Sequence, residues 1–177
     1  VLNGLEKEKR VGPEVVKKVN EVVAELNYRP NQIARSLRKG ATNSIGLIVA
    51  DISNPFFGQL ARVIEDEAAL FNNTVIFGSS DGDCSRSNTL IDTFQNRKVD
   101  GLIIVPSDNC SEQIKYLLKN DVPIVLIDRY LPELNANHVI LNNYEATYSA
   151  VNVFITKGYK KIAMIAYNSC LSHMQER

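Results

Sequence analysis

The fold is decided by residues 45–57, which read Ile45-Gly46-Leu47-Ile48-Val49-Ala50-Asp51-Ile52-Ser53-Asn54-Pro55-Phe56-Phe57. The first six residues are apolar, as expected of a strand that is buried on both faces. Polar residues interrupt the run, and Asn54-Pro55 then supplies a capping residue and a proline suited to the first turn of a helix. A buried strand, a polar loop and a helix in this order begin a βα unit. The stretch therefore predicts an α/β fold.

The alternation of apolar strand and amphipathic helix continues along the rest of the chain. Strands are predicted at Ile45 to Ala50, Thr74 to Gly78, Gly101 to Val105, Pro123 to Ile127 and Lys161 to Ala166. Helical periodicity lies between them, at about 55–72, 85–97, 111–120 and 144–157. Gly158 follows the last helix, where a left-handed C-cap favours glycine. We expect residues 44–177 to form a flavodoxin-like sheet of about five parallel strands with flanking helices.

Most of the residues that follow the predicted strands are polar, and they lie at the edge of the sheet where ligands bind in open α/β folds. They are Asp51, Ser53, Asn54, Ser79, Ser80, Asp81, Asp83, Pro106 to Asn109, Asp128, Arg129, Tyr167, Asn168 and Ser169. Hydrogen-bonding groups beside the rings of Phe56 and Phe57 suit a small polar molecule such as a sugar or a nucleoside. We select Asp81 and Asp128 as candidate carboxylates on this ground. The alternative is that these loop ends are polar only because loops face water.

The sequence has no recognised motif for binding a metal or a nucleotide phosphate. His138 and His173 belong to no recognised zinc-binding motif, and the phosphate-loop pattern G-x-x-x-x-G-K-[ST] does not occur. Cys84, Cys110 and Cys170 are odd in number and widely spaced, so we expect reduced, mostly structural thiols. We therefore predict no cofactor, no metal and no enzymatic activity. An enzyme on this fold is one rival hypothesis, but it would lack a phosphate-binding loop.

Charge is distributed unevenly along the chain. The 177 residues carry 20 Lys and Arg against 20 Asp and Glu, a formal net charge of zero. Residues 1–40 hold nine cations and five glutamates, which leaves a net charge of +4, and the remaining residues carry −4. Affinity for nucleic acid comes largely from Lys and Arg at phosphates. The basic part is therefore where a DNA-binding function would lie.

The basic part contains two predicted helices. Residues 14–27 form an amphipathic helix that opens at Gly12-Pro13, and Pro30 forces a break before a short second helix at 31–39. The second helix carries three cations and two large apolar residues, of which one is Leu37. Cations can hold such a helix on phosphates while an apolar wedge enters a minor-groove base step. The alternative is a basic linker helix between domains.

Seven short motifs occur in a fixed order along the chain. They are Val1-Leu2-Asn3-Gly4, Leu26-Asn27-Tyr28-Arg29-Pro30-Asn31, Ala34-Arg35-Ser36-Leu37, Ser44-Ile45-Gly46-Leu47-Ile48-Val49, Asn54-Pro55-Phe56-Phe57, Val99-Asp100-Gly101-Leu102-Ile103 and Gly158-Tyr159-Lys160-Lys161-Ile162-Ala163. In this order they closely resemble the LacI/GalR family of bacterial transcription regulators. The resemblance implies that residues 44–177 are the amino-terminal subdomain of a periplasmic-binding-protein-like sensor. It also implies that the chain, which opens on Val1, is a fragment of a longer protein.

The resemblance implies a DNA-binding role for the basic part. Residues 1–30 would be the C-terminal part of a helix-turn-helix headpiece, and residues 31–43 a hinge helix with its linker. Leu37 would be the minor-groove wedge. The implied DNA-binding residues are Asn3, Tyr28, Asn31, Ala34, Arg35, Leu37 and Arg38. The partner would be a palindromic double-stranded operator, bound by a homodimer.

The resemblance also places effector contacts in the sensor. Phe56 and Phe57 would flank the effector, and His173 and Arg177 would contact it. With the two carboxylates from the strand ends, the predicted effector-binding residues are Phe56, Phe57, Asp81, Asp128, His173 and Arg177. Effector binding would change how two hinge helices pair and enter the minor groove. We therefore expect a sequence-specific transcriptional regulator, a repressor like many relatives, controlled by a sugar or nucleoside-like effector.

A solute-binding or signal-receiver module of flavodoxin-like topology, without a DNA role, is the other hypothesis. A receiver needs an aspartate at the end of its third strand, where this sequence has Pro106-Ser107. A periplasmic binder needs a signal peptide, for which the first residues are too charged. The sequence also has no apolar run long enough to span a membrane. The predicted location is the cytoplasm, with no membrane partner.

Overall fold

The structure, a computed structural model, describes residues 11–28, 40–107, 110–166, 168 and 171–177. The chain divides into two compact units, Val1–Thr42 and Asn43–Arg177, and each unit is described by itself. The helix predicted at 31–39 lies outside the described residues.

The described part of the first unit contains an amphipathic helix, α1, at Pro13–Glu25. Gly12 precedes it in an extended conformation, and Pro13 occupies the first turn, where its missing N–H costs no hydrogen bond. After the last turn, Asn27 adopts a left-handed φ of +46°, and the Tyr28 amide donates to a carbonyl of that turn at 3.0 Å. These features end the helix. They confirm the first of the two helices predicted in the basic part.

The second unit has strands and helices in the order expected of βα units. The strands are β1 (Ser44–Val49), β2 (Thr74–Ser79), β3 (Gly101–Ile104), β4 (Ile124–Ile127) and β5 (His138–Val139). The helices are α2 (Pro55–Leu70), α3 (Cys84–Asn96), α4 (Ser111–Lys119), α5 (Asn143–Thr156) and α6 (Ser172–Gln175). One sheet holds the strands in the order β2-β1-β3-β4-β5, with every neighbouring pair parallel. The predicted α/β fold with a parallel sheet is confirmed.

Strand β1 lies between β2 and β3 and is dry on both faces. Leu47, Ile48 and Val49 are fully buried. Leu47 and Val49 pack with side chains of α2, whereas Ile48 packs with side chains of α3 and α4. Because successive side chains of a strand point to opposite faces, helices on both sides of the sheet require apolar residues at successive positions. This requirement explains the apolar run from which the fold was predicted.

The prediction of a strand at Lys161 to Ala166 is wrong. Residues 161–166 form no strand, and Ile162 and Ile165 are exposed. The fifth strand is β5, which pairs in parallel with β4. An apolar run becomes a strand only where a neighbour offers unpaired N–H and C=O groups, and β5 already occupies the outer edge of β4. Composition alone does not show which segment takes that edge.

The prediction of reduced thiols is wrong for one pair of cysteines. The structure joins Cys84, the first residue of α3, to Cys110, the residue before α4, in a disulfide with a Cα–Cα distance of 5.4 Å. The two residues are 26 positions apart, a spacing that indicates no pairing by itself. Helices α3 and α4 both begin at the carboxyl edge of the sheet, and this shared position brings the two sulfur atoms together. Cys170 lies outside the described residues.

Gly46 in β1 provides a test of packing at the centre of the sheet. A Cβ atom at this position would lie 2.5 Å from Phe94 Cδ2 and 2.7 Å from Leu102 Cδ2, closer than real Cβ contacts. We predict that Gly46→Ala lowers the free energy of unfolding by about 1–3 kcal/mol, because overpacking displaces neighbours in a dense core. The measurement is urea unfolding followed by far-ultraviolet circular dichroism.

Gly58→Ala in α2 is the matched control. Its added Cβ would meet its nearest neighbour, the Ile52 carbonyl oxygen, at an ordinary 3.7 Å. We expect this variant to unfold as the wild type does, or to be stabilised by up to about 1 kcal/mol, because alanine is the better helix former. Equal stability of the wild type and Gly46→Ala would contradict the packing described above.

Candidate functional site

The loop after β1 fixes the start of α2 at the carboxyl edge of the sheet. Asp51 Oδ1 accepts hydrogen bonds from the Ser53 amide at 2.8 Å and from Ser53 Oγ at 2.7 Å. Asn54 Oδ1 accepts a hydrogen bond from the Phe56 amide at 3.0 Å, which caps the helix. The hydrogen bonds from Ser53 hold the pKa of the Asp51 carboxyl below its ordinary value. The loop therefore carries a negative charge across the physiological range of pH.

The two aromatic residues predicted to flank an effector differ in exposure. Phe56 is 44% exposed, while Phe57 is 5% exposed and belongs to the core on the α2 face of the sheet. Their ring centroids lie 5.0 Å apart with an angle of 71° between the planes, which is an edge-to-face contact. Phe56 thus offers aromatic surface near the edge of the sheet. Phe57 supports that ring from within the core.

A buried pair of hydroxyls lies at the end of β1. Ser80 and Ser107 are almost completely buried, and their Oγ atoms are 3.3 Å apart. Ser80 also donates to the Val49 carbonyl, from its amide at 2.9 Å and from its Oγ at 3.2 Å. The segments that follow β2 and β3 are thus tied to each other and to the end of β1. The sequence places both serines at strand ends, but no pattern in it predicts that they pair.

Asp81 forms an ion pair beside these serines. Its φ is +53°, and its carboxylate pairs with the guanidinium of Arg86 on α3. Asp83 caps the same helix by accepting a hydrogen bond from the Arg86 amide at 2.8 Å. Both side chains of the ion pair are about half exposed, so a polar ligand could reach either of them. Arg86 was not predicted, because a cation on a helix usually marks only a solvated surface.

Asp128 and Arg129 form a second, more buried ion pair after β4. Asp128 has a φ of +65°, and its Oδ2 lies 3.5 Å from Arg129 Nε, with side-chain exposures of 11% and 14%. Arg129 Nη1 donates to the Pro106 carbonyl at 3.2 Å. Arg129 therefore connects the segment after β4 with the segment after β3. Its Nε makes the ion pair and has no hydrogen-bond partner among the described residues.

The segment 171–177 packs on the loop that follows β4. Ser172 Oγ donates to the Tyr130 carbonyl at 3.4 Å, and Tyr130 OH donates to Glu176 Oε1 at 3.2 Å. Arg177 Nε donates to Oδ1 of the buried Asn143 at 2.8 Å. Residues distant in sequence are thereby brought to one edge of the unit. Neither Tyr130 nor Asn143 was predicted, because their roles depend on contacts with this segment.

Five of the six predicted effector residues therefore fall into two groups within the second unit, and the sixth, Phe57, lies in the core. Asp128, the buried His173 and Arg177 lie in or beside the contact between segment 171–177 and the loop after β4. Phe56 and Asp81 lie at the ends of β1 and β2. Both groups belong to the carboxyl side of the sheet, as the strand-end argument predicts. Carboxylates, guanidinium groups and an aromatic surface at this side are suited to a polar small molecule.

Most of the residues predicted to bind DNA lie outside the described part of the chain. Asn3, Asn31, Ala34, Arg35, Leu37 and Arg38 all belong to the parts of the chain that are not described. Tyr28 is described, and its side chain is exposed directly after α1. The assignment of these residues to DNA stays a prediction.

The described ranges show neither a metal-binding cluster nor a membrane-spanning helix. No group of three or more His, Cys, Asp or Glu side chains in those ranges is arranged to hold a metal ion. Among the same residues, no helix has the length and apolar character needed to cross a membrane.

Most of the chain is similar in sequence to proteins of known family. Residues 42–177 match the family model described as periplasmic binding proteins and sugar binding domain of LacI family. The ribose operon repressor of Haemophilus influenzae is 33% identical over 177 residues, which cover 100% of this chain and 52% of that protein. The chain spans about half the length of the curated relatives it matches.

Solved structures agree with the fold. A candidate ribose operon repressor from Burkholderia thailandensis superposes with a TM-score of 0.71 at 31% identity, over 76% of this chain and 51% of that one. A periplasmic binding protein/LacI transcriptional regulator from Alkaliphilus metalliredigens, complexed with D-xylulofuranose, gives a TM-score of 0.63 at 27% identity, over 76% and 48% of the two chains.

Tyr130 reports whether segment 171–177 packs on the loop after β4. The hydrogen bond to Glu176 and the charge of that carboxylate raise the pKa of Tyr130 above its ordinary value of 10.0. We predict that Glu176→Gln lowers the pKa of Tyr130 toward 10, because the neighbouring charge is removed. The measurement is an ultraviolet titration of phenolate absorption, in which the difference from Tyr130→Phe isolates this tyrosine.

The sign of the accompanying stability effect follows from the raised pKa. The contact contributes stability below the ordinary tyrosine pKa, and this stability is lost as pH rises through the higher pKa of the folded protein. Glu133→Gln, which neutralises an exposed carboxylate of the same loop, is the control and should leave the Tyr130 titration unchanged. An unshifted Tyr130 titration in Glu176→Gln would show that the segment is not packed as described.

Proposed function

Because the chain belongs to the LacI family of transcriptional regulators, we propose that it is part of a sequence-specific DNA-binding repressor whose operator binding is controlled by a small polar effector. The observation that carries the proposal is the polar edge of the second unit. There, two ion pairs, a buried hydroxyl pair and the packed segment 171–177 surround the carboxyl ends of the strands. Such an edge can fix the orientation of a ligand that is rich in hydroxyl groups.

The effector is proposed to be a sugar or a nucleoside-like molecule. A relative from Alkaliphilus metalliredigens was solved with D-xylulofuranose, and another relative is named a ribose operon repressor. In this chain, the exposed ring of Phe56 can stack on the apolar face of a sugar ring. Arg177 and the Asp128–Arg129 pair supply charged donors and acceptors for hydroxyl groups. Asp81, Phe57 and His173 are assigned to the same site.

DNA binding is proposed for the basic first unit. Leu37 would enter a minor-groove step while the cations Arg35 and Arg38 hold the phosphates. Asn3, Tyr28, Asn31 and Ala34 would contact the duplex around them. We assign residues 1–30 to a helix-turn-helix headpiece and residues 31–43 to a hinge helix with its linker, as the family resemblance implies.

A homodimer on a palindromic operator is proposed as the working form. The edge strand β2, helix α2 and the residue that follows this helix leave large apolar side chains exposed in the second unit, including Val63, Leu70, Phe71 and Phe77. Apolar surface of this kind is characteristic of a contact with another protein surface. A second copy of the chain would bury it and would place two hinge helices on symmetric half-sites. Effector binding would then shift the balance between DNA-competent and DNA-incompetent forms.

The remaining assignments follow from this role. A bacterial regulator of transcription acts on the chromosome, so we propose a cytoplasmic protein. The proposed role requires binding and a change of shape, and it needs neither catalysis nor a cofactor.

Leu37 provides the test of the DNA-binding proposal. With full-length protein and a palindrome selected from random duplexes, we predict that Leu37→Ala weakens operator binding by about tenfold or more and leaves binding to random duplex nearly unchanged, because only the wedge is lost. Arg38→Ala should weaken both and reduce the slope of log affinity against log salt by about one. The measurement is fluorescence anisotropy over a range of salt concentrations.

Two outcomes would contradict this assignment. If Leu37→Ala lowered the affinity for operator and for random duplex equally, Leu37 would not act as the minor-groove wedge. A stoichiometric titration that saturates at one chain per palindrome, rather than two, would remove the homodimer.

Arg177 provides the test of the effector proposal. We predict that the full-length protein is stabilised against thermal unfolding by at least one member of a panel of pentoses, ketoses, phosphosugars and nucleosides. A ligand at 100 times its dissociation constant adds about 2.7 kcal/mol. Arg177→Ala should lower the affinity for that ligand by about 10- to 100-fold, because a charge-assisted hydrogen bond is lost.

The control is Arg97→Ala, which removes an exposed arginine after the last turn of α3, at the opposite end of that helix from the proposed site. It should bind the ligand as the wild type does. An Arg177→Ala variant with unchanged affinity, or a panel in which no compound stabilises the protein, would contradict the proposed effector site.

A further inference from the structure

We propose that Cys84 and Cys110 form a reversible disulfide that tightens the carboxyl edge of the sheet when the protein is oxidised and relaxes it when the protein is reduced. The inference rests on the proposed function for its biological meaning, because it treats this edge as the effector site. Its structural basis is separate, since it is the position of two cysteines in the fold.

The bond joins two segments across the end of β1. Strands β2 and β3 flank β1 in the sheet. Cys84 begins the helix after β2, and Cys110 precedes the helix after β3. Side chains of α2 cover one face of the sheet, whereas those of α3 and α4 cover the other. The disulfide therefore lies beside the point where the connections change faces, which is where open α/β sheets bind ligands.

A weaker link already joins the same two segments. The Ser80 and Ser107 hydroxyls, which follow β2 and β3, are 3.3 Å apart and hydrogen bonded. A hydrogen bond of this type can open and re-form, whereas a disulfide holds its two residues together until it is reduced. Closing a loop of 26 positions covalently removes many open conformations of the segments around it. Oxidation would thus add a covalent link between two segments that are otherwise joined here by a hydrogen bond.

The two cysteines differ in solvent exposure, and this difference determines which of them reacts first with an oxidant. Cys110 is 3% exposed, whereas Cys84 is partly exposed. In oxidation by a low-molecular-weight disulfide such as glutathione disulfide, the Cys84 thiolate attacks one sulfur of the oxidant and releases one thiol. The Cys110 thiolate then attacks Cys84 Sγ in the mixed disulfide and releases the second thiol. Two protein thiols are oxidised, one external disulfide is reduced, and the two protons end on the released thiols.

Reversibility follows from where the proposed function acts. A regulator bound to a bacterial chromosome lies in a reducing compartment, where protein disulfides are usually transient and redox-sensing. The Cα–Cα distance of 5.4 Å falls within the range of about 4.4–6.8 Å for disulfides. Two thiols fit at nearly the same separation, so the backbone need not move far between the states. Formation and reduction of the bond would therefore change the freedom of the edge more than its shape.

Thiol trapping tests the bond itself. The full-length protein, kept folded, is equilibrated in glutathione buffers from fully reduced to fully oxidised, then alkylated and mapped by mass spectrometry. We expect the peptides that carry Cys84 and Cys110 to become linked in the oxidised buffer and to separate again in the reduced one. Cys84→Ser and Cys110→Ser should each abolish the link, and the control Cys170→Ser should retain it. Free Cys84 and Cys110 in the oxidised buffer, or a link that survives excess reduced glutathione, would overturn the proposal.

Amide hydrogen exchange tests the effect on the edge. We expect exchange in peptides covering residues 80–83 and 105–107 to slow by about fivefold or more on oxidation of the wild type, because local opening is restricted. Cys84→Ser should show no change between the two buffers. A linked protein with unchanged exchange in these peptides would overturn the tightening. Because neither experiment uses DNA or effector, failure of the proposed function would not alter either result.

Discussion

The structure of the second unit depends on one constraint, which is that β1 must be dry on both faces. Leu47 and Val49 are buried with α2, and Ile48 is buried with α3 and α4. A strand in this position can carry no polar side chain at these successive positions, because each would lose its hydration without gaining a partner. Helices on both faces also require the connections to change from one side of the sheet to the other beside β1, and the polar residues gather at the edge where this change occurs.

The polar edge is ordered because its groups bond to one another and to the ends of the strands. Ser80 bonds to the end of β1 and to Ser107, and Arg129 joins the segments after β3 and β4. Buried polar groups persist in a protein interior when they are paired in this way. Phe56 and the half-exposed Asp81 remain available at the same side of the sheet. Fixed groups beside accessible ones are the arrangement that a binding site for a small polar molecule requires.

Apolar residues at positions 153–165 illustrate the limit of local patterns. Helix α5 forms as its periodicity predicts, yet Phe154 and Ile155 are exposed on it. The following run at 161–166 has the composition of a buried strand but stays outside the sheet. In both cases the sequence specifies apolar character correctly, and the fold of the described residues provides no surface to cover it. Burial is a property of two surfaces, so one segment cannot determine it.

The sequence by itself determined the α/β class, the positions of β1 to β4, the helices α1 to α5 and the polar character of the strand ends. Each of these follows from local periodicity, capping or the need for a dry strand. Only the tertiary structure decided that β5 takes the open edge of β4, that Cys84 meets Cys110, and that Asn143 meets Arg177. These contacts join residues separated by many positions, and their geometry exists only once the helices have packed on the sheet.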